Sequence, residues 1–160
     1  MFPLATLYFT PFVCTLAVIG IIYTSLTAIR QTDMKRVIAY ASVAHMNLIV
    51  LGMFSLTLEG VEGSILQMLS HGLVASGLFL CVGILYDRYH SRLISNYSGL
   101  AHRMPLFACI FLLYTLANIA LPGTSSFIGE FLILIGIFSF NTTFAFLGAT
   151  GMVLGGAYSL

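Results

Sequence analysis

The stretch that decides the fold is residues 117–135, ANIALPGTSSFIGEFLILI, where two apolar runs meet at a Pro-Gly step and a cluster of hydroxyl residues. Pro122 has no N–H to return to the carbonyl of Asn118, and its ring clashes with that carbonyl. A helix that arrives from the N-terminal side must therefore break near Leu121. Gly123 then permits backbone angles that other residues resist, so the chain can turn before a second helix starts.

Thr124 or Ser125 is the expected N-cap of the second helix, because a hydroxyl oxygen can accept from the first free N–H groups. The whole broken segment, residues 105–138, would reach ~51 Å as one straight helix at ~1.5 Å per residue, which exceeds a ~30 Å bilayer core. Two complete spans would need ~20 residues each plus a turn. We therefore predict one discontinuous membrane crossing.

Glu130 stands just beyond the break, inside an apolar run. A glutamate in the middle of a bilayer costs roughly 3 kcal/mol on insertion scales, so a functional role is the default hypothesis for it. We predict a proton or ion role for Glu130. Two other roles stay open: a structural salt bridge, or hydrogen bonds to the broken backbone, whose unsatisfied groups are costly in hydrocarbon.

The composition indicates an all-α, multi-pass membrane protein. Of 160 residues, 59% are hydrophobic and 7% are charged, with a mean hydropathy of +1.04, whereas soluble domains carry about 25% charged residues. The net charge of +1 says nothing about a nucleic-acid partner, and the sequence has no basic patch to bind one. The chain has no dinucleotide, P-loop or zinc-protease motif. Its three cysteines, Cys14, Cys81 and Cys109, are far apart, so we expect small core residues and no metal site.

Apolar runs and their charged separators predict about five crossings in one transmembrane domain, residues 1–160. The predicted crossings are residues 11–29, 34–56, 64–86, the broken segment 105–138, and 142–160. Pro11 is expected at a helix start, where its missing N–H is harmless, and Thr32 or Asp33 is expected to cap the second helix.

With this count, the two basic connections, residues 30–36 and 87–104, lie on one face of the membrane. The acidic turn at residues 59–63 and the neutral turn at Asn141 lie on the other face. The positive-inside rule then places the basic face in the cytoplasm or, in a mitochondrion, in the matrix.

Polar residues inside the predicted crossings form a pattern. His45 and His71 fall near mid-depth of their helices, as Glu130 does, so three titratable groups on three helices are expected to form a row. Ser64, Gln67 and His71 follow i, i+3, i+7 spacing and share one helix face, as one wall of a half-channel would. The other interpretation is that the histidines are hydrogen-bonded structural residues, and it stays open for both.

Three motifs together resemble a known family over essentially the whole chain. They are QTDMKRVIAYASVAHM (residues 31–46), LSHGLVASGLFL (residues 69–80) and LPGTSSFIGEF (residues 121–131). They closely resemble the subunit 4 family of NADH:ubiquinone oxidoreductase, respiratory complex I. In the sister antiporter-like subunits 2 and 5 the corresponding broken helix typically carries a lysine, so Glu130 points to subunit 4.

The resemblance implies an antiporter-like fold of two inverted five-helix repeats, each with one interrupted helix. The five crossings match the second repeat, and the first repeat and the later helices are absent, so the chain resembles a piece of such a subunit. Glu130 matches the ionisable residue at the outlet end of a central polar axis. His71 matches a histidine on that axis, and His45 matches a polar position near it.

The family's biochemistry implies a proton-translocating subunit of an NADH:ubiquinone reductase, driven by redox chemistry elsewhere. No redox centre, cofactor or substrate site is expected in this chain, and NADH, FMN, iron-sulfur clusters and ubiquinone are expected in other subunits. The expected partners are other membrane subunits of complex I, especially neighbouring antiporter-like subunits, and the lipid bilayer. The expected location is the mitochondrial inner membrane, or the plasma membrane in a bacterium.

Two other functions remain open. A subunit of a multi-subunit sodium/proton antiporter would share this ancestry. A structural membrane subunit would use its polar groups only to satisfy the broken backbone.

Overall fold

A computed structural model describes residues 3–159, and every regular element among them is helical. The elements are α1 (Pro3–Ile29), α2 (Met34–Met53), α3 (Leu58–Tyr89), a short 3-10 helix (Ile94–Tyr97), α4 (Leu100–Arg103), α5 (Pro105–Asn118), α6 (Ser125–Phe140) and α7 (Thr142–Ser159). The prediction of an all-α membrane protein with a discontinuous fourth crossing is confirmed for these residues, and the break extends from the end of α5 at Asn118 to the start of α6 at Ser125.

Three of the helices, α1, α2 and α3, are long and apolar enough to cross a membrane. The predicted broken crossing is divided between α5 and α6, with 14 and 16 residues. The fifth predicted crossing corresponds to α7, which packs against α1 and α6. The segment Ile94–Arg103 is bent by 119° from α5, so the chain turns sharply before the broken crossing begins at Pro105.

The first helix begins earlier than its predicted start at residue 11. Pro11 lies inside α1, which begins at Pro3, so the prediction of a helix start at Pro11 is wrong. The ring costs the helix one backbone hydrogen bond. Helices in membranes tolerate such a loss because neighbouring groups adjust to satisfy the freed carbonyl.

The connection between α2 and α3 is shorter than predicted. α2 ends at Met53 instead of residue 56, because Leu56 takes a left-handed backbone with a φ of 55°. Thr57 then caps α3, and its hydroxyl accepts from the backbone N–H of Gly60 at 3.2 Å. The predicted acidic turn is therefore wrong: Glu59 lies in the first turn of α3, where the positive end of the helix dipole favours a carboxylate.

Glycines let α3 and α6 approach closely, and these two helices form the largest contact in the fold. A Cβ added at Gly63 would lie 2.8 Å from the backbone nitrogen of Ile133. A Cβ added at Gly136 would lie 2.5 Å from the Cα of Gly60. Because no side chain fits at these positions, the backbones of α3 and α6 meet directly.

The apolar core lies between α1, α2, α6 and α7. Its most buried members include Ile21, Leu51, Ile133 and Ile137. Cys14 is part of this core and Cys81 is also buried, as predicted, whereas Cys109 is exposed on α5. The prediction of a core position for Cys109 is therefore wrong, since that side of α5 packs against no other described element.

The two basic connections lie at the same end of the helices, as predicted. The N–H of Met34 donates to the carbonyl of Arg92 at 3.0 Å, and the N–H of Ile94 donates to the carbonyl of Thr32 at 3.1 Å. Asp33 occupies the N-cap position of α2 but makes no capping bond with its side chain. Its carboxylate instead pairs with the Nε of Arg36 at 3.1 Å.

Candidate functional site

The break after α5 begins with a closed helix end. Ala120 has a left-handed backbone with a φ of 58°. Its N–H donates to the carbonyl of Ala117 at 3.2 Å, and the N–H of Leu121 donates to the carbonyl of Leu116 at 3.1 Å. These two bonds are those of a Schellman motif, with alanine at the position where glycine is usual. The helix therefore ends at Asn118, slightly before the break predicted near Leu121.

A tight turn over residues 121–124 completes the break. The N–H of Thr124 donates to the carbonyl of Leu121 at 3.0 Å. Pro122 occupies the second position, and Gly123 occupies the third with a φ of 105°, which is the pattern of a type II turn. Thr124 is the N-cap residue, as predicted, but its hydroxyl donates to the carbonyl of Leu121 at 2.8 Å instead of capping α6.

The hydrogen bonds of the Schellman motif and of the turn all lie within residues 115–124. Much of the hydrogen-bonding capacity of the broken backbone is therefore satisfied locally. The hydrogen bonds of Glu130 go elsewhere. The interpretation of Glu130 as a partner for the broken backbone therefore receives no support from its contacts.

Glu130 is 2% exposed. Among residues 3–159, it is the only Asp, Glu, Lys or Arg whose side chain is buried. α6 carries it, and two side chains from other helices converge on one of its oxygens, Oε1. From α3, the Nε2 of Gln67 donates to Oε1 at 3.1 Å. From α2, the Nδ1 of His45 lies 3.0 Å from the same oxygen.

His71 extends this cluster along α3. The ring centroids of His45 and His71 are 5.0 Å apart, and the Nε2 atoms of both rings are buried without a hydrogen-bond partner. The predicted row of three titratable groups on three neighbouring helices is therefore present as a line of contacts, Glu130 to His45 to His71. A role of this row in proton transfer stays a prediction.

Ser64 does not join that line. It shares the buried face of α3 with Gln67 and His71, as the spacing predicted. Its hydroxyl, however, lies 2.6 Å from the carbonyl of Gly60 and 3.1 Å from the carbonyl of Ile49 on α2. Ser64 therefore connects α3 to α2, and a role in proton transfer stays a prediction.

A small cavity of about 20 Å³ lies beside the cluster. Its polar lining comes from Glu130, His45, Asn118 and Tyr158. A cavity needs roughly 10–15 Å³ and two to four polar partners to hold one water molecule, so this one is large enough for a single water. The sequence predicts Asn118 as part of the broken helix, and the structure places it at the end of α5, in the lining of this cavity.

Tyr158 is the residue that the sequence did not single out. Together with Asn118 it also lines a second cavity of about 380 Å³, which reaches Gln31 and Ser159 near the end of the molecule that carries the basic connections. Tyr158 lies one residue from the end of α7, so in sequence it resembles an interfacial aromatic residue. The packing of α7 against α1 and α6 brings it near Glu130.

Among residues 3–159, no group of three or more His, Cys, Asp or Glu side chains is arranged to hold a metal ion. The expectation that this chain carries no cofactor stays a prediction.

Comparison with known proteins identifies relatives over the whole chain. The model of the family described as NADH:quinone oxidoreductase/Mrp antiporter, transmembrane, matches residues 1–155. Chain 4 of NADH-ubiquinone oxidoreductase from Marchantia polymorpha is 67% identical over 160 residues, which are 100% of this chain and 32% of that protein. Subunit M of NADH-quinone oxidoreductase from Rhodobacter capsulatus is 52% identical over 160 residues, again 100% of this chain and 31% of that protein.

The fold also matches part of a chain in a solved structure. A chain of respiratory complex I from Thermus thermophilus with bound NADH superposes with a TM-score of 0.95 at 34% sequence identity. The match covers 98% of this chain and 34% of that chain. The chain therefore spans about a third of the length of the relatives that it matches.

Proposed function

This chain belongs to the NADH:quinone oxidoreductase/Mrp antiporter transmembrane family, and on that premise we propose that it is the proton-translocating repeat of a complex I membrane subunit. The observation that carries the proposal is the buried carboxylate of Glu130, which contacts His45 and Gln67 beside a broken helix. The whole subunit, of which this chain spans about a third, would couple electron transfer from NADH to ubiquinone elsewhere in the complex to proton movement here.

The electrostatics of the site support a carboxylate that changes its charge. A unit charge arriving 4 Å from a buried group changes its energy by about 4 kcal/mol at an effective dielectric constant of 20. Each 1.36 kcal/mol is a tenfold change in the ratio of two protonation states. A single charge that moves along the row would therefore be sufficient to make Glu130 take up or release its proton.

The geometry also supplies a partner for that proton. The Nδ1 of His45 lies 3.0 Å from the Oε1 of Glu130, which is a hydrogen-bond distance, so a proton can pass directly between the two atoms. His71 then offers a second ring at the far side of His45. The water-sized cavity that Glu130 and His45 both line offers a second path.

We propose that no cofactor binds to this chain, and that other subunits hold NADH, FMN, iron-sulfur clusters and ubiquinone. The proposed partners are the other membrane subunits, especially neighbouring antiporter-like ones. The proposed location is the mitochondrial inner membrane, because the relative from Marchantia polymorpha is a chain of NADH-ubiquinone oxidoreductase. A chain from a bacterium would occupy the plasma membrane.

The test is Glu130→Gln in the full-length subunit of the assembled complex, reconstituted in liposomes. We expect proton transfer per NADH oxidised to fall, because glutamine keeps the shape of the side chain but cannot titrate. Glu62→Gln is the matched control, since Glu62 is exposed on α3. Undiminished proton transfer in Glu130→Gln would contradict the proposal.

The family description also includes Mrp antiporters, so a subunit of a sodium/proton antiporter is the second candidate. Sodium-dependent proton exchange in liposomes without NADH would favour it. A purely structural subunit is the third candidate, and a neutral substitution at Glu130 that preserved both assembly and proton transfer would favour that one.

A further inference from the structure

We propose that Gln67 is a positioning residue that holds Glu130 in both protonation states, donating to the carboxylate through Nε2 and accepting from the carboxylic acid through Oε1. This role rests on the proposed function, in which Glu130 takes up and releases a proton. Gln67 itself carries no proton in the transfer, because its amide does not titrate. The proton stays on a carboxyl oxygen of Glu130 until it moves on.

The ionised state is the one that the present geometry fits. The Nε2 of Gln67 lies 3.1 Å from the Oε1 of Glu130, and the Nδ1 of His45 lies 3.0 Å from the same atom. An ionised carboxylate only accepts hydrogen bonds, so the Nε2 donor of Gln67, together with His45 when its Nδ1 carries a proton, stabilises it.

The other end of the same amide is unused in this state. The Oε1 of Gln67 is buried and has no hydrogen-bond partner, although the residue is only 1% exposed. A buried acceptor without a partner is costly, so its presence calls for a physical reason. A neutral Glu130 supplies one, because its O–H is a donor that must itself find a buried acceptor.

One torsion exchanges the two ends of the amide. The terminal torsion of glutamine is broad and roughly two-fold, so turning the amide over demands little torsional energy. After that turn, Oε1 of Gln67 faces Glu130 and accepts from its O–H. An amide is suited to this exchange because it carries a donor and an acceptor without a net charge that would favour one state of Glu130.

Gly129 provides the space that the amide occupies. A Cβ added at Gly129 would lie 2.6 Å from the Oε1 of Gln67 and 3.0 Å from its Cβ. A methyl group there would therefore displace the amide from its position beside Glu130. Gly72, on the same helix as Gln67, is the matched control, because a Cβ added there would meet no atom within 4 Å.

The experiment uses the full-length subunit in the assembled complex, reconstituted in liposomes. The variants are Gln67→Met, which keeps the length of the side chain without donor or acceptor, the nearly isosteric Gln67→Glu, Gly129→Ala and the control Gly72→Ala. Two quantities are measured. The first is the pH profile of proton transfer per NADH oxidised. The second is the carboxyl C=O stretching band of Glu130 in infrared difference spectra, identified by its absence in Glu130→Gln.

In Gln67→Met we expect proton transfer to fall by about tenfold or more, since hydrogen bonds to charged groups are among the strong ones. The pH profile should move, and the carboxyl band should shift to the frequency of an acid without its hydrogen bond. Gly129→Ala should change both quantities in the same direction, whereas Gly72→Ala should leave them unchanged. A merely structural role for Gln67 would not move the carboxyl band.

Gln67→Glu decides the outcome if Gln67→Met does not assemble. Two adjacent carboxyl groups cannot both ionise easily, so its pH profile should also move. An unchanged pH profile and carboxyl band in the Gln67 variants that assemble would overturn this role, while loss of proton transfer in Glu130→Gln would still support the proposed function. If Glu130→Gln itself changes neither quantity, both the function and this role for Gln67 fail.

Discussion

Replacing His45 with leucine removes one of the two nitrogen atoms that lie at hydrogen-bond distance from Glu130. The Nδ1 of His45 lies 3.0 Å from the Oε1 of Glu130 in a buried setting. A hydrogen bond to a charged group contributes about 1.5–3 kcal/mol, and each 1.36 kcal/mol corresponds to a factor of ten. His45→Leu should therefore slow proton transfer through the Glu130 site by about tenfold or more.

The assay is proton transfer by the full-length complex in liposomes, followed with a pH indicator while NADH oxidation is measured in the same sample. We expect the number of protons moved per NADH to fall in His45→Leu and its dependence on pH to change. His102→Leu is the matched control, because His102 is exposed on α4 and distant in sequence from the cluster. Equal proton transfer in the two variants across the pH range would refute the reasoning.

Three further predictions concern packing, the break and the cavity. Gly136→Ala should destabilise the fold by about 1–3 kcal/mol through overpacking, since its Cβ would lie 2.5 Å from backbone of α3, whereas Gly72→Ala should not. Thermal melting of the purified complex measures the stability of both variants. Ala120→Val should reduce stability by at least about 1 kcal/mol, because a β-branched residue resists a left-handed backbone. Ala120→Gly should change it by less than about 1 kcal/mol, because relief of strain offsets the loss of a buried methyl group. Tyr158→Phe should slow proton transfer in liposomes by about three- to tenfold without loss of assembly, since it removes the hydroxyl of a side chain that lines the cavity beside Glu130. An unchanged rate would count against a water at that site.

The break and its acid could be predicted from the sequence because their causes are local. Pro122 removes a backbone donor, Gly123 permits a positive φ, and a hydroxyl residue follows them, whatever surrounds the segment. The predicted position of the helix end is less accurate. Ala120 takes the left-handed position of the Schellman motif, and alanine gives no sequence signal for that role.

Helix starts were predicted less well where charge or proline suggested a loop. The acidic residues around Glu59 suggest a turn, yet a carboxylate is favourable in the first turn of a helix. Pro11 suggests a helix start, yet it lies inside α1. In both cases the residue type permits the predicted structure without requiring it.

The side-chain pairs of the site depend on tertiary packing. Helical spacing placed Gln67 and His71 on one face of α3, and it predicted that Glu130 and His45 would lie at a similar depth. Which atoms meet could not be read from spacing, because the contact of Gln67 with Glu130 depends on the close approach of α3 and α6. The position of Tyr158 at the same cavity depends on how α7 packs, so no local pattern could reveal it.

The central claim is that Glu130 changes its protonation state while the complex turns over. The most direct measurement is an infrared difference spectrum of the full complex, triggered by NADH and recorded for the native protein and for Glu130→Gln. We expect a carboxyl band that responds to turnover in the native protein. Glu130→Gln should lose both this band and proton transfer. No such band, with proton transfer undiminished in Glu130→Gln, would contradict the claim.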